Sequence, residues 1–310
     1  MCNLPGSACI VLSSLGLSLS FLSDLGAQTI PESPMQYDEI VVTGAKERDQ
    51  ATIDRATNYV RSLGVAKGDR AIARWIEPIC PKVLGISVEH AELVEARFLK
   101  TAQRAEVPIA IGNCKPNIII SFAANASAIV KKMQAKKAST FREVPVGNRG
   151  ALLDDNAPVR WWYSTEVRSS DGNSLLEMQP PGVQMDGGGA LPTGSNGQTL
   201  SLYNSSIIST QTARALRSAT IIIDVNLVNR ATLDAVADYA ALVGLAEIDF
   251  VTNVGSRSIY ESIMSLFHEN STVLELTKWD EKFLHELYSI PLDRAARYQR
   301  GRLIAAVAEN

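Results

Sequence analysis

The sequence predicts an α/β (α+β) fold: a mixed sheet packed with helices, a helical C-terminus and one disulfide. Three observations predict it. β-prone runs at 116–122, 159–168 and 219–228 read as strands. Around them, apolar residues recur at helical spacing. Cys80 and Cys114 are the only cysteines downstream of an N-terminal export signal, so they are expected to pair.

Residues 1–27 read as that signal. An apolar Ser/Leu-rich run from Ala8 to Leu22 leads to the small-residue step Leu25-Gly26-Ala27, with cleavage expected after Ala27. The basic start usual in such segments is missing, because Asp24 is the one charged residue before Gln28. The run falls short of the roughly 20 apolar residues of a membrane span, and no later segment approaches that length. Cys9 has no apolar run before it, which argues against a lipoprotein. The expected localisation is periplasmic or secreted. Pairing Cys80 with Cys114 there would stabilise the fold by about 4 kcal/mol on chain-entropy grounds. Redox chemistry wants a closer C-x-x-C spacing, and a metal needs more ligands. The pair is read as a structural staple between the loop before a helix and the segment entering a central strand.

Residues 28–48, with Pro31 and Pro34, read as a flexible tether, and residues 49–310 as a single α/β domain. Ile53, Ala56, Tyr59, Val60 and Leu63 mark a helix over 49–64. A second helical piece is expected over 71–76. It stops before Pro78, and the Pro-rich stretch to Pro81 reads as irregular. Ser87 caps the next helix, which runs to about Ala105 on a stripe of Ala91, Val94, Phe98 and Ala102. Residues 107–111 and 116–122 read as strands, followed by a helix over 126–138.

The strand at 159–168 ends in the turn Asp171-Gly172. Its Trp161 and Trp162 fall on opposite faces, one expected in the core and the other partly exposed. Residues 179–199 carry Pro180-Pro181 and two Gly-rich clusters, and read as a long flexible loop, either functional or disordered. Strands over 202–210 and 219–228 come next. A long helix follows from Asn229 or Thr232, with small apolar residues on a broad face as far as Ile248. Helices over 256–268, 277–288 and 292–308 complete the chain.

Composition excludes more chemistry than it suggests. The net charge is −3, against the basic domain that nucleic acid selects. Lys131, Lys132, Lys136 and Lys137 suit the solvated face of a helix. No phosphate loop, dinucleotide fingerprint or nucleophile elbow is present. His268-Glu269 and His285-Glu286 each lack the second histidine of a zinc-hydrolase helix, and His90 sits in the first turns of another helix. No catalytic, cofactor-binding or metal residue is assigned, and no cofactor is expected.

Two resemblances add to this. Glu39-Ile-Val-Val-Thr-Gly44 resembles the segment that opens the plug of TonB-dependent receptors, which implies a Gram-negative envelope. The C-terminal third resembles a zincin-like domain of unknown function found in exported proteobacterial proteins. The shared shape is the strand Ile221–Val228, the helix ending Leu242-Val-Gly-Leu245, then Ser262–Phe267 and Leu276–Tyr288. In true zincins the helix carries metal histidines. The matching stretch here is Ala237-Asp238-Tyr239-Ala240-Ala241, so the resemblance implies the frame without the metal. With Trp75, Cys80-Pro81 and Cys114-x-Pro116-Asn117, the whole chain resembles uncharacterised exported proteins of alphaproteobacteria.

The expected function is an exported envelope protein of non-catalytic binding or scaffolding type, with an envelope protein as partner. The alternative is a hydrolase with a dispersed, non-motif site near Trp161, Trp162 and the Gly-rich loop. A third reading has the tether presented to an outer-membrane receptor. Trp161, Trp162 and Asp238 are the candidate ligand-contacting residues.

Overall fold

Strand pairing in this protein begins with β-branched residues that bury both faces. The computed structural model describes residues 49–173, 210–228, 230–250, 261–269 and 271–309. The expected signal peptide, tether, receptor-like hexapeptide and 179–199 loop lie outside the described residues. So does nearly all of the strand expected at 202–210. The described residues belong to one compact unit, Glu47–Asn310.

Among the described residues four strands, β1 (Pro81–Leu84), β2 (Ile118–Ala123), β3 (Val159–Ser169) and β4 (Thr212–Asp224), form one mixed sheet in the order β1-β2-β4-β3. β1, β2 and β4 run parallel, and β3 is antiparallel to β4. Ile221 of β4 lies between Ile120 of β2 and Trp161 of β3, and all three are buried. Among the described residues seven α-helices pack with the sheet: α1 (Gln50–Ser62), α2 (Val88–Arg104), α3 (Ala126–Lys136), α4 (Val146–Leu152), α5 (Leu233–Leu245), α6 (Lys278–Ser289) and α7 (Ala296–Ala308). The fold is therefore the mixed α/β class with a helical C-terminus that the sequence predicts. No helix among the described residues is long and apolar enough to cross a membrane.

Side-chain caps start the helices where the sequence places them. Ser87 accepts from the His90 N–H, Asn125 from Ala128 and Thr232 from Ala235, each filling an orphan donor of the first turn. Thr277 and Asp280 form a reciprocal capping box on α6. Every residue of α5 from Ala235 to Leu245 is buried, as in a core helix, and Asp238 is the one charged residue among them. It approaches α2 so closely that a Cβ on Gly244 would lie 2.7 Å from the Phe98 ring.

Both edge strands have a backbone N–H taken by a glutamate. Glu95 of α2 accepts from Val83 of β1 at 2.8 Å, and Glu143 accepts from Thr165 of β3 at 2.8 Å. Pro81, which has no N–H to offer, is tolerated as the first residue of an edge strand. Blocked donors keep an edge from templating further pairing.

Several elements differ from expectation. Residues 71–76 are extended, not helical. The N–H of Ile72 donates to Gln299 Oε1 at 2.9 Å, and that of Ala73 to Glu247 Oε2 at 3.0 Å. Arg74 bridges Ala215 on one side and Ala246 on the other. Distant partners supply what an intrahelical ladder would have supplied. The bridge at Ala246 also ends α5 at Leu245, short of Ile248. Residues 107–111 contribute a single bridge, Ile79 to Ile109, instead of a strand. Of the helix expected at 256–268, residues 256–260 are outside the described set, and Ile263–Ser265 is a 3-10 turn. α7 starts at Ala296 rather than 292.

Cys80 and Cys114 are bonded, with Cα atoms 6.1 Å apart. Cys80 leads directly into β1, not into a helix, so the bond joins the approaches to two adjacent strands. Asn117 reinforces it. Its Oδ1 accepts from the Cys80 N–H at 2.7 Å, and its Nδ2 donates to the Pro78 carbonyl at 3.1 Å.

Candidate binding cleft

The three aromatic residues Trp161-Trp162-Tyr163 at the start of β3 organise a cleft of about 130 Å³. Strand alternation sends Trp161 and Tyr163 toward α5 and Trp162 to the other face. Trp161 meets Phe250 edge-on at 4.8 Å and Tyr239 at 6.0 Å. Trp162 packs on Phe141 at 4.9 Å. Both indoles are core residues, at 2% and 5% exposure, so neither is the partly exposed one expected from alternation. The sheet is covered on both faces here.

Trp161 and Tyr163 pin the chain that leaves α5. Trp161 Nε1 donates to the Ile248 carbonyl at 2.9 Å, and the Ile248 N–H donates to the Tyr163 hydroxyl at 3.2 Å. That hydroxyl in turn donates to the Val243 carbonyl at 2.6 Å. Burial pushes the Tyr163 phenol well above its ordinary value, so it stays protonated. With Ile248 held by both backbone groups, the alternation of the segment turns Glu247 and Asp249 to the cleft.

Each carboxylate of the cleft wall is occupied by donors. Glu247 takes both terminal nitrogens of Arg214, Arg70 Nη2 at 2.7 Å and the Ala73 N–H. Asp249 takes Lys67 Nζ and, at 3.0 Å, Asn148 Nδ2. Glu143 takes the Thr165 N–H and hydroxyl and, at 3.1 Å, the Ser164 hydroxyl. The roof is the loop after α1. Gly64, Ala66 and Gly68 all adopt positive φ, and Ala66 does so at +48° with a Cβ to accommodate. Arg300 holds the Ala66 carbonyl from α7. A non-glycine residue kept in that conformation is over-determined by its surroundings, a pattern that clusters at binding sites.

Asp238 lies elsewhere. It is buried on α5 and accepts both forks of Arg97 from α2, at 2.8 and 2.7 Å. The Leu276 N–H adds a third donor at 3.2 Å. Of the three ligand candidates, the structure brings Trp161 and Trp162 to one cleft and leaves Asp238 in a helix–helix ion pair. The histidines are also apart from the cleft: His90 contacts Ser87 in the first turn of α2, and His285 faces Glu106 at 3.8 Å. Among the described residues no group of three His, Cys, Asp or Glu side chains could hold a metal ion.

Sequence reasoning missed Lys67, Arg70, Glu143, Arg214, Glu247 and Asp249. The polar–apolar alternation of Glu247-Ile-Asp-Phe250 was the available signal, since it marks an extended segment with one wet face. Compared with protein-family models, with curated proteins and with solved structures, the chain finds no match in any of the three.

Proposed function

We propose that this is a non-catalytic binding domain, exported to the periplasm or cell envelope, and that it binds through the cleft under the 64–70 loop. The observation that carries this reading is Glu247. Four hydrogen bonds from Arg214, Arg70 and the Ala73 N–H fill its lone pairs. A carboxylate that exchanges protons in catalysis needs a free lone pair toward its substrate. Glu247 and its neighbours instead frame a rigid concavity, with aromatic rings beneath and paired charges around it. That composition suits recognition. The disulfide and the sequence of residues 1–27 support the exported location. In this reading α5 is a scaffold helix, whether or not the frame is zincin-like, because its one acidic site candidate is spent on Arg97.

The test places a photo-crosslinking residue at Val146, which is exposed beside the cleft residue Pro145. A control carries it at Ile111, on the disulfide loop. The full-length protein is irradiated in its native envelope. Saturable capture from Val146 and not from Ile111 is expected. Equal or no capture from the two sites, in exported protein, overturns the reading.

A further inference from the structure

We infer that the cleft accepts a single uncharged aromatic ring, carried by a small molecule or by one side chain of a partner. The inference rests on the binding reading above and narrows it to a ligand chemistry.

Size comes first. A cavity of about 130 Å³ is close to the roughly 150 Å³ of an apolar protein cavity that takes up benzene. It has room for one ring and little more. A sugar or a dipeptide would have to remain largely outside.

The walls come second. Trp161, Trp162, Tyr163 and Phe250 all line the space, together with Val65, Val144 and Ile248. Trp161 and Phe250 already stand edge to face, with planes 75° apart. Both rings are nearly covered, at 2% and 6% exposure, so a further ring meets the half-buried Tyr163 above them, where the positive edge of one ring favours the negative face of the next. An aliphatic group of equal size gains only burial.

Charge comes third. Lys67 is paired with Asp249, and Arg70 and Arg214 are paired with Glu247. With Glu143, the lining holds three carboxylates against three cations, so its charge is balanced and a charged ligand would compete with these pairs. An uncharged ring leaves them intact. The Tyr163 hydroxyl is engaged as donor and as acceptor, and the Trp161 N–H is engaged as donor. The polar groups nearest the aromatic floor thus act as braces. The braces also make the space preformed, since both backbone groups of Ile248 are fixed. A ring would meet a shape that needs no closing.

The experiment titrates the purified, oxidised full chain with benzyl alcohol, with cyclohexylmethanol and with N-acetylphenylalanine amide. Indole N–H resonances report where each probe sits. The chain has four tryptophans, so the four signals are separable by single Trp→Phe assignment. Benzyl alcohol is expected to move the Trp161 and Trp162 signals saturably and leave Trp75 and Trp279 in place. Cyclohexylmethanol should bind about fivefold more weakly, the size of an aromatic contact term. Ala71→Leu and Val144→Trp fill the space from two walls, and each folded variant should lose at least tenfold in affinity. Tighter binding of the amide than of benzyl alcohol assigns the ring to a partner side chain. The reverse assigns it to a free small molecule. Saturation with equal affinity for both six-membered rings, shifts confined to Trp75 or Trp279, or no saturation at all overturns the inference. If Val146 still captures a ligand in the envelope, only the ring chemistry falls. If that capture also fails, the binding reading falls with it.

Discussion

The Tyr59 hydroxyl on α1 donates to the Asp280 carboxylate on α6 at 2.8 Å, in the core and across 221 residues of chain. Ser262 Oγ, the Ile263 N–H and both donors of Thr277 converge on the same carboxylate. One side chain thus ties α1, the 262–263 turn and the start of α6. Tyr59→Phe should cost about 1.5 kcal/mol, the loss of one hydrogen bond to a buried charged acceptor. Asp280→Asn should cost about 3 kcal/mol, because its amide N–H₂ must face donors. Urea unfolding checks both.

The same residue sets a pH dependence. Burial raises the Asp280 carboxyl above its ordinary 3.8, against the pull of Ser262, Ile263, Thr277 and Tyr59. Folding therefore favours its protonated form. That contribution is full below the unfolded value and is lost as pH rises through the folded one. The stability gap between wild type and Asp280→Asn should narrow as pH is raised from about 4, the unperturbed aspartate value. A gap that widens would show that the donors outweigh burial.

Arg97→Ala should destabilise by about 2 kcal/mol, less than for a fully buried pair because its guanidinium is partly exposed. Asp238 would be left buried with only the Leu276 N–H. Adding Asp238→Ala should restore part of the loss, since the stranded charge goes. A double-mutant cycle reads the coupling, and neither change should alter benzyl alcohol affinity.

Replacing both Cys80 and Cys114 with Ser opens a loop whose ends are 34 residues apart. The expected loss is roughly 4 kcal/mol on chain-entropy grounds. The folded fraction should keep its tryptophan indole shifts with benzyl alcohol, because the bond joins the entries of β1 and β2 and lines no part of the cleft. Thermal unfolding with and without reductant checks this.

Gly244→Ala puts a methyl group 2.7 Å from Cε2 of Phe98 and 3.3 Å from Ile221. Helix propensity favours the change, but overpacking should win by about 2 kcal/mol. Phe98→Leu in the same chain should recover part of that, measured by denaturant midpoint.

Local signals account for the elements that were legible. Ser87 and Thr232 announce α2 and α5, since a cap acts on N–H groups three residues away. Ile118-Ile-Ile120 and Ile221-Ile-Ile223 announce central strands through their β-branched side chains. Residues 71–76 were illegible for the opposite reason. Their backbone donors are matched by Gln299 and Glu247, more than 170 residues away in sequence. A helical pattern of apolar residues then serves an extended chain.

The sequence by itself determined the class of fold, the order of most elements and the pairing of two cysteines. Periodicity, capping and cysteine count are properties of neighbours in the chain, so they can be read there. Tertiary structure alone decided that Glu247 would meet Arg70 and Arg214, that Asp238 would be spent on Arg97, and that Trp161 would floor a cavity. Each of those depends on side chains from separate elements meeting at hydrogen-bond distance. Such meetings are set by how sheet and helices stack, and stacking leaves no local mark in the sequence.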